Sequence, residues 1–297
     1  MPNLVTTAND GVVRIWDLSK IVKAGGPKEI LKAPNIHDSG IFSMDSTVSG
    51  KGAQSSQVII ATGSKDKSVA VTALVGSGGG VSVMWRGRQH DKQIKNVGLC
   101  KEEGSSLVAA CGDDGLVSVC DYRAKGSENS SSVCEISNGH AKPCSVVWGD
   151  GAVGKNVLMT AGTCSDVIKL WDIRKADTPT TTLRGHTAVD LNRRSIHHPI
   201  FYSPIADGSG SCAAYVISGG DKVGGLSMFE VVEGGGGGVK GGEVLAYSRG
   251  SLGEYLDPQY VAVEKDHRGY GFRVAAAVSG GYVHLLKPAW KTKNINA

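Results

Sequence analysis

The sequence predicts an all-β chain in which short antiparallel units stack on one another, and two observations predict it. First, a glycine/aspartate turn followed by an apolar strand recurs: TTANDGVVRIWDLS (Thr6 to Ser19), ATGSKDKSVAVTAL (Ala61 to Leu74), AACGDDGLVSVCDYR (Ala109 to Arg123) and TAGTCSDVIKLWDIR (Thr160 to Arg174). Looser copies stand at Ile217 to Val231 and Ala277 to Trp290. A self-similar unit that cannot bury both faces alone must stack on its neighbours. Second, a strand of β-branched or small residues enters each better turn, at Asp10, Asp66, Asp114 or Asp166, and alternation resumes beyond it, which is a hairpin signature.

Taken in order, the first unit holds strands at Leu4 to Ala8, Val12 to Leu18 and Glu29 to Leu31, without an opening strand. The next four units open at Ile41 to Met44, Ile94 to Leu99, Cys144 to Trp148 and Pro199 to Tyr202. A sixth unit runs from Gln259 to Trp290 and lacks a closing strand. Three strands, four units of four and a final three give roughly 22 strands. The turn aspartates 10, 66, 114, 166 and 221 fall 56, 48, 52 and 55 residues apart, so loops carry the excess over a repeat of about 40 to 45 residues. Gly76 to Gly80, Gly126 to Ser132 and the glycine run within 233–242 are the expected loops. The last is expected to stay flexible, because its glycines lose the most entropy on ordering.

Upstream of the turns stand His37, His90, His140 and His186, the last two in Gly-His pairs, and Trp-Asp pairs close two strands at Trp16-Asp17 and Trp171-Asp172. With partial matches at Cys120-Asp121 and Phe229-Glu230, the chain resembles the WD-repeat family over nearly its whole length. The resemblance implies a β-propeller of four-stranded blades, a single domain over 1–297. Six complete blades need about 24 strands and seven about 28, so the expectation is about six visible units of an N-terminally incomplete seven-bladed ring, with a six-unit ring of two thin blades as the rival. The resemblance also implies a hydrogen-bonded blade network. It groups Asp10 with Thr6 and Trp16, His37 with Asp66 and Thr62, His90 with Asp114, His140 with Trp171, and His186 with Asp221 and Ser218. In the fourth copy either Ser165 or Asp166 fills the turn position, since Asp166 lies one residue closer to its Trp than Asp10 does.

Charge is near balance, 32 basic against 28 acidic residues, so nothing calls for nucleic acid or an anionic membrane surface. No apolar run approaches the roughly 18 residues that span a bilayer, and no charged-then-apolar leader opens the chain, so neither secretion nor membrane insertion is expected. Seven cysteines without a CxxC pair suit reduced thiols in a cytoplasmic or nuclear protein. Gly236, Gly238 and Gly241 have GxGxxG spacing inside a glycine tract with no helix to follow, which excludes a dinucleotide site. Adjacent His197 and His198 in a strand would face opposite ways and could not chelate one ion. No catalytic, cofactor or metal site is expected.

The expected function is a non-catalytic protein-interaction scaffold with other proteins as partners. Two alternatives stand beside it. The tips Cys120 to Arg123 and Trp171 to Arg174 resemble the arginine-ended repeats of substrate receptors in cullin-based ubiquitin ligases, where Asp121, Arg123, Asp172 and Arg174 would meet an adaptor. A guanidinium suits that task through its fixed charge and fork of donors. The other alternative is a propeller hydrolase, for which the sequence offers no cluster of titratable side chains.

Overall fold

In the computed structural model the described residues are 3–18, 27–33, 35–49, 57–75, 80–124, 132–137, 139–149, 153–154, 156–163, 165, 167–184, 198–202, 214–219, 226–234, 238–247, 258–265, 272–278 and 283–286. They form 22 strands in six antiparallel sheets, and no α-helix. The first sheet holds β1 (Asn3–Thr7), β2 (Val13–Asp17) and β3 (Lys28–Ala33). The second holds β4 (Ile41–Ser49), β5 (Gln57–Ser64), β6 (Val69–Val75) and β7 (Gly80–Gly87). The third holds β8 (Ile94–Leu99), β9 (Leu107–Gly112), β10 (Val117–Asp121) and β11 (Ser132–Ile136). The fourth is β12 (Pro143–Trp148), β13 (Val157–Gly162), β14 (Val167–Asp172) and β15 (Thr181–Arg184). The fifth is β16 (Ile200–Tyr202), β17 (Ala214–Gly219), β18 (Leu226–Gly234) and β19 (Gly238–Tyr247). The sixth is β20 (Pro258–Lys265), β21 (Phe272–Val278) and β22 (Val283–Leu286). Each sheet is a meander in chain order.

The chain divides into two compact units. One comprises Met1–Asp150, Gly154–Thr163 and Lys169–Thr180; the other comprises Gly151–Val153, Cys164–Ile168 and Thr181–Ala297. In the first unit, strand alternation explains why the middle strands read as unbroken apolar runs. Ile59, Ala61, Val71 and Ala73 pack with Ile94, Val97, Val108 and Ala110 of the third sheet. The residues between them, Ile60 and Ala70, pack with Val13, Ala33 and Ile36 beside the first sheet. In the third sheet Ala109, Cys111, Val117 and Val119 turn the other way, onto Val146, Trp148, Leu158 and Trp171. Successive side chains on a strand point to opposite faces, so a sheet covered on both faces needs apolar residues at every position. In the second unit Ile217, Leu226 and Met228 form a core with Val261, Val274 and Ala276.

The opening strands of the first unit are also stitched by polar bonds. Ser43 Oγ accepts from Asn96 Nδ2 (3.0 Å) and the Val97 amide (3.1 Å), while Asn96 Oδ1 accepts from the Val146 amide (2.9 Å). Asp45 accepts from the Leu99 amide (2.9 Å), and Trp148 Nε1 donates to the Gly98 carbonyl (2.9 Å). A Cβ at Gly98 would stand 3.1 Å from the Val146 carbonyl oxygen, so this close approach favours glycine. Ser43 and Asn96 both follow a β-bulge, which recurs in the registers Ile41/Ser43, Ile94/Asn96, Pro143/Ser145 and Pro258/Tyr260.

A second recurring bulge lies in the outer strands and skips Ile30 in β3, Met84 in β7 and Val133 in β11. These side chains are 49%, 44% and 53% exposed, so most of the large apolar residues left outside on these strands are the bulged ones. A bulge twists an edge strand away from pairing with another chain.

The glycine run placed in a loop at 233–242 instead carries the end of β18 and the start of β19, with Gly234 opposite Gly238; residues 235–237 lie outside the described residues. An antiparallel ladder uses only backbone donors and acceptors, which glycine has in full. The described cysteines, Cys100, Cys111, Cys120, Cys134 and Cys144, are thiols, all buried except the half-buried Cys134.

Candidate functional site

The hairpin turns share one chemistry. The carboxylates of Asp10, Asp66 and Asp114 accept the amide two residues on, from Val12 (3.1 Å), Ser68 (2.9 Å) and Leu116 (3.1 Å). The residue between has positive φ in each case: Gly11 at 71°, Lys67 at 73° and Gly115 at 88°. An aspartate that closes its own turn this way lets the next residue take the left-handed conformation, at little cost for glycine and some for lysine. In the fourth copy Ser165 Oγ accepts from the Val167 amide (3.4 Å), the bond made elsewhere by the turn aspartate, while Asp166 lies outside the described residues.

Beneath the second and third turns the carboxylate meets a buried histidine, which meets a buried hydroxyl. His37 Nδ1 lies 3.3 and 3.2 Å from the Asp66 oxygens and 2.9 Å from Ser68 Oγ, and its Nε2 lies 2.8 Å from Thr62 Oγ1. His90 Nδ1 lies 3.1 Å from each Asp114 oxygen, and its Nε2 lies 2.9 Å from Ser118 Oγ. The two relays take their hydroxyl from different strands. Thr62 on β5 faces Ala70 on β6, whereas Ala110 on β9 faces Ser118 on β10. The small apolar residue and the hydroxyl have changed places across the ladder, and the imidazole keeps its partner.

The other sheets depart further from the grouping read from the sequence. Trp16 Nε1 donates to Thr6 Oγ1 (2.8 Å), but Asp10 is no part of that bond and accepts instead from the Arg14 guanidinium. His140 and Trp171 meet through Thr160, whose Oγ1 lies 3.0 Å from His140 Nε2 and accepts from Trp171 Nε1 at 2.8 Å. Ser218 Oγ donates to the Gly219 carbonyl (3.0 Å), and its expected partners His186 and Asp221 lie outside the described residues. Sequence reasoning missed Ser68, Ser118 and Thr160. Ser118 was legible only by aligning the copies position by position, which sets it opposite the alanine where Thr62 is expected.

Burial holds His37 below the ordinary imidazole value despite the Asp66 carboxylate. Burial and the nearby Lys169 ammonium bring His140 down to about 4. Burial alone would raise Asp66, but bonds from the Ser68 hydroxyl and amide and the Asp38 amide outweigh it and hold the carboxyl at about 2. Asp114 is lowered as well: burial alone would raise it, but the His90 ring and the Leu116 and Asp91 amides together outweigh burial. The relays therefore pair ionised aspartates with hydroxyl-bonded imidazoles.

Hydroxyl, imidazole and carboxylate in this sequence are the parts of a nucleophilic triad, yet both hydroxyls are buried. Thr62 is 0% and Ser118 2% exposed. At Gly112 an added Cβ would lie 2.8 Å from His90 Nδ1, so the third sheet's relay is closely packed on that side. Such a relay ties strands together, and an orphaned member would cost about 1–3 kcal/mol.

At the far ends of the third strands, Asp121 and Asp172 accept the amides of Arg123 (2.9 Å) and Arg174 (3.0 Å). Arg174 also forks onto Asp172, with Nε at 2.9 and 3.2 Å and Nη2 at 2.6 Å, while Arg123 Nε stands 3.8 Å from Asp121. The Arg174 bond holds the Asp172 carboxyl below its ordinary value. Both guanidinium side chains are mostly exposed, 63% at Arg123 and 58% at Arg174. Among the described residues no three His, Cys, Asp or Glu side chains gather to hold a metal ion, and no helix is long and apolar enough to cross a membrane.

No protein-family model matches the chain, and no curated protein matches it. Among solved structures, a chain of the "Crystal Structure of Mitotic Checkpoint Complex" aligns with 97% of this chain and 74% of its own length, with a TM-score of 0.65 at 14% identity. At that identity the likeness shows fold alone. With the four-stranded antiparallel sheets it gives the all-β WD-repeat propeller fold that the repeats predict.

Proposed function

We propose that this chain is a divergent WD-repeat protein that serves as a non-catalytic protein-interaction scaffold, working in the cytoplasm or nucleus. The observation that carries the reading is the burial of the Thr62–His37–Asp66 and Ser118–His90–Asp114 relays, which supports a role in holding blades rather than in turnover. The same relays fix turns whose neighbours are exposed and charged, among them Asp38, Lys65, Arg88, Asp91 and Lys92. Rigid sheets that present variable polar ends suit recognition of proteins. The protein seen in a checkpoint complex has the same fold, which accords with a partner-binding role.

The ligase-receptor reading stands second, supported by one observation: the third and fourth sheets, consecutive in the chain, end in the same Asp-x-Arg turn with an exposed guanidinium. Against it, each arginine is already turned onto its own aspartate, at 2.6 Å for Arg174 and 3.8 Å for Arg123. Affinity capture from native cells with the full chain separates the readings. The triple change Lys65→Glu, Arg88→Glu, Lys92→Glu is expected to lose the partners, and Arg123→Ala with Arg174→Ala to keep them. Partners retained by the triple variant would sink the turn-end surface, and a cullin adaptor lost only from the double variant would establish the ligase reading instead.

A further inference from the structure

We propose that Thr178 is a phosphorylation site for a proline-directed protein kinase, and that its phosphate draws the Arg174 guanidinium away from Asp172. The segment between β14 and β15 is pinned on both sides of this residue. The Lys175 amide donates to the Asp172 carbonyl (2.9 Å), and the Thr180 amide and hydroxyl both donate to the Leu170 carbonyl (2.8 and 3.0 Å). Ala176 packs against the core below. Thr180 has its hydroxyl engaged, and Thr181 and Thr182 belong to a strand, whereas Thr178 stands exposed in a bend. Pro179 follows it, which biases Thr178 to the extended conformation that a kinase cleft accepts.

The charge around the site gives the modification a readout. Asp172, Arg174, Lys175 and Asp177 sum to zero, and a phosphothreonine adds about 1.5 to 2 negative charges and three acceptor oxygens. Arg174 lies four residues before Thr178, is mostly exposed, and among the described residues its guanidinium is held by its fork onto Asp172. A doubly charged phosphate attracts a guanidinium more strongly than a singly charged carboxylate does. In the transfer, Thr178 Oγ1 bonds to the γ-phosphorus of ATP, the bond to the β-phosphate oxygen breaks, ADP departs, and the hydroxyl proton passes to the kinase's base. The inference concerns Thr178 and does not rest on the partner-binding reading.

The test incubates the folded full chain with a proline-directed kinase and magnesium ATP, locates the phosphate by mass spectrometry, and titrates it by phosphorus NMR. The expected result is phosphate on Thr178, at least tenfold less incorporation in Pro179→Ala, and a phosphate pKa below the ordinary value of about 6 that returns to it in Arg174→Ala. Absence of phosphate on Thr178 of the folded chain, whether or not a 172–181 peptide is labelled, overturns the site. Equal titration in wild type and Arg174→Ala overturns the capture of Arg174.

Discussion

If the hydroxyl of the third sheet's relay has changed strands, its loss should be repairable from the strand opposite. Ser118→Ala removes the group 2.9 Å from His90 Nε2 and leaves that nitrogen buried without a partner. The cost expected for such an orphan is about 1–3 kcal/mol. Ala110 faces Ser118 across the ladder at the position held by Thr62 in the second sheet. Ala110→Ser in the Ser118→Ala background should therefore restore a hydroxyl to the imidazole and recover at least half of the loss. Serine rather than threonine limits overpacking in the cluster around Ala110, which is 2% exposed. Urea unfolding of the four proteins of the cycle measures the coupling, and thermal midpoints provide a second reading at about 2–4 °C per kcal/mol for a large domain. In the wild-type background Ala110→Ser alone should be neutral or destabilising, because the imidazole already has its partner. A double variant no more stable than Ser118→Ala would refute the relocation of the hydroxyl.

Three further outcomes follow from the same geometry. His140, at about 4 when folded against an ordinary 6.5, binds its proton more weakly in the native state. Its contribution is thus full above pH 6.5 and lost as pH falls toward 4, by up to about 3 kcal/mol; unfolding at stepped pH should show a shallower slope in His140→Gln than in wild type. Asn96→Ala should unpair the buried Val146 amide and cost about 1–3 kcal/mol, read as faster hydrogen exchange at Val146 than at amides deeper in the fourth sheet. Deletion of Met84 should convert the bulged edge of β7 into a regular one and raise self-association, measured by sedimentation at increasing concentration, whereas Met84→Ser, which keeps the bulge, should leave the protein as wild type.

Much of this architecture was legible because two periodicities coincide in the sequence. Alternation places β8 at Ile94–Leu99 as read, and aspartates mark the hairpin turns of the first three sheets. The strand grouping of three, four times four, and three is also the observed one. Strand ends were less legible. β4 runs on to Ser49, five residues past the apolar stretch that suggested it, because its backbone pairs with β5 whatever the side chains are. The glycine run within 233–242 was unreadable as strand for the same reason: glycine supplies ladder bonds without a propensity signal. In the relays, His37 with Asp66 and Thr62 could be read directly, since all three residues keep their places. Asp10 could not, because Arg14, four residues on, satisfies the carboxylate that a histidine meets elsewhere. The outer bulges that expose Ile30, Met84 and Val133 have no composition cue at all, and only the register reveals them.

In the proposed reading, buried relays hold rigid sheets whose turn ends receive another protein. Hydrogen–deuterium exchange of the full chain, free and in its purified native complex, tests it most directly. The expected result is slowed exchange in the complex at the turn ends 65–67, 88–92 and 113–115, with the strands that carry Thr62 and Ser118 equally protected in both states. Protection confined to the far ends, 121–124 and 172–178, with the turn ends unchanged, would contradict it.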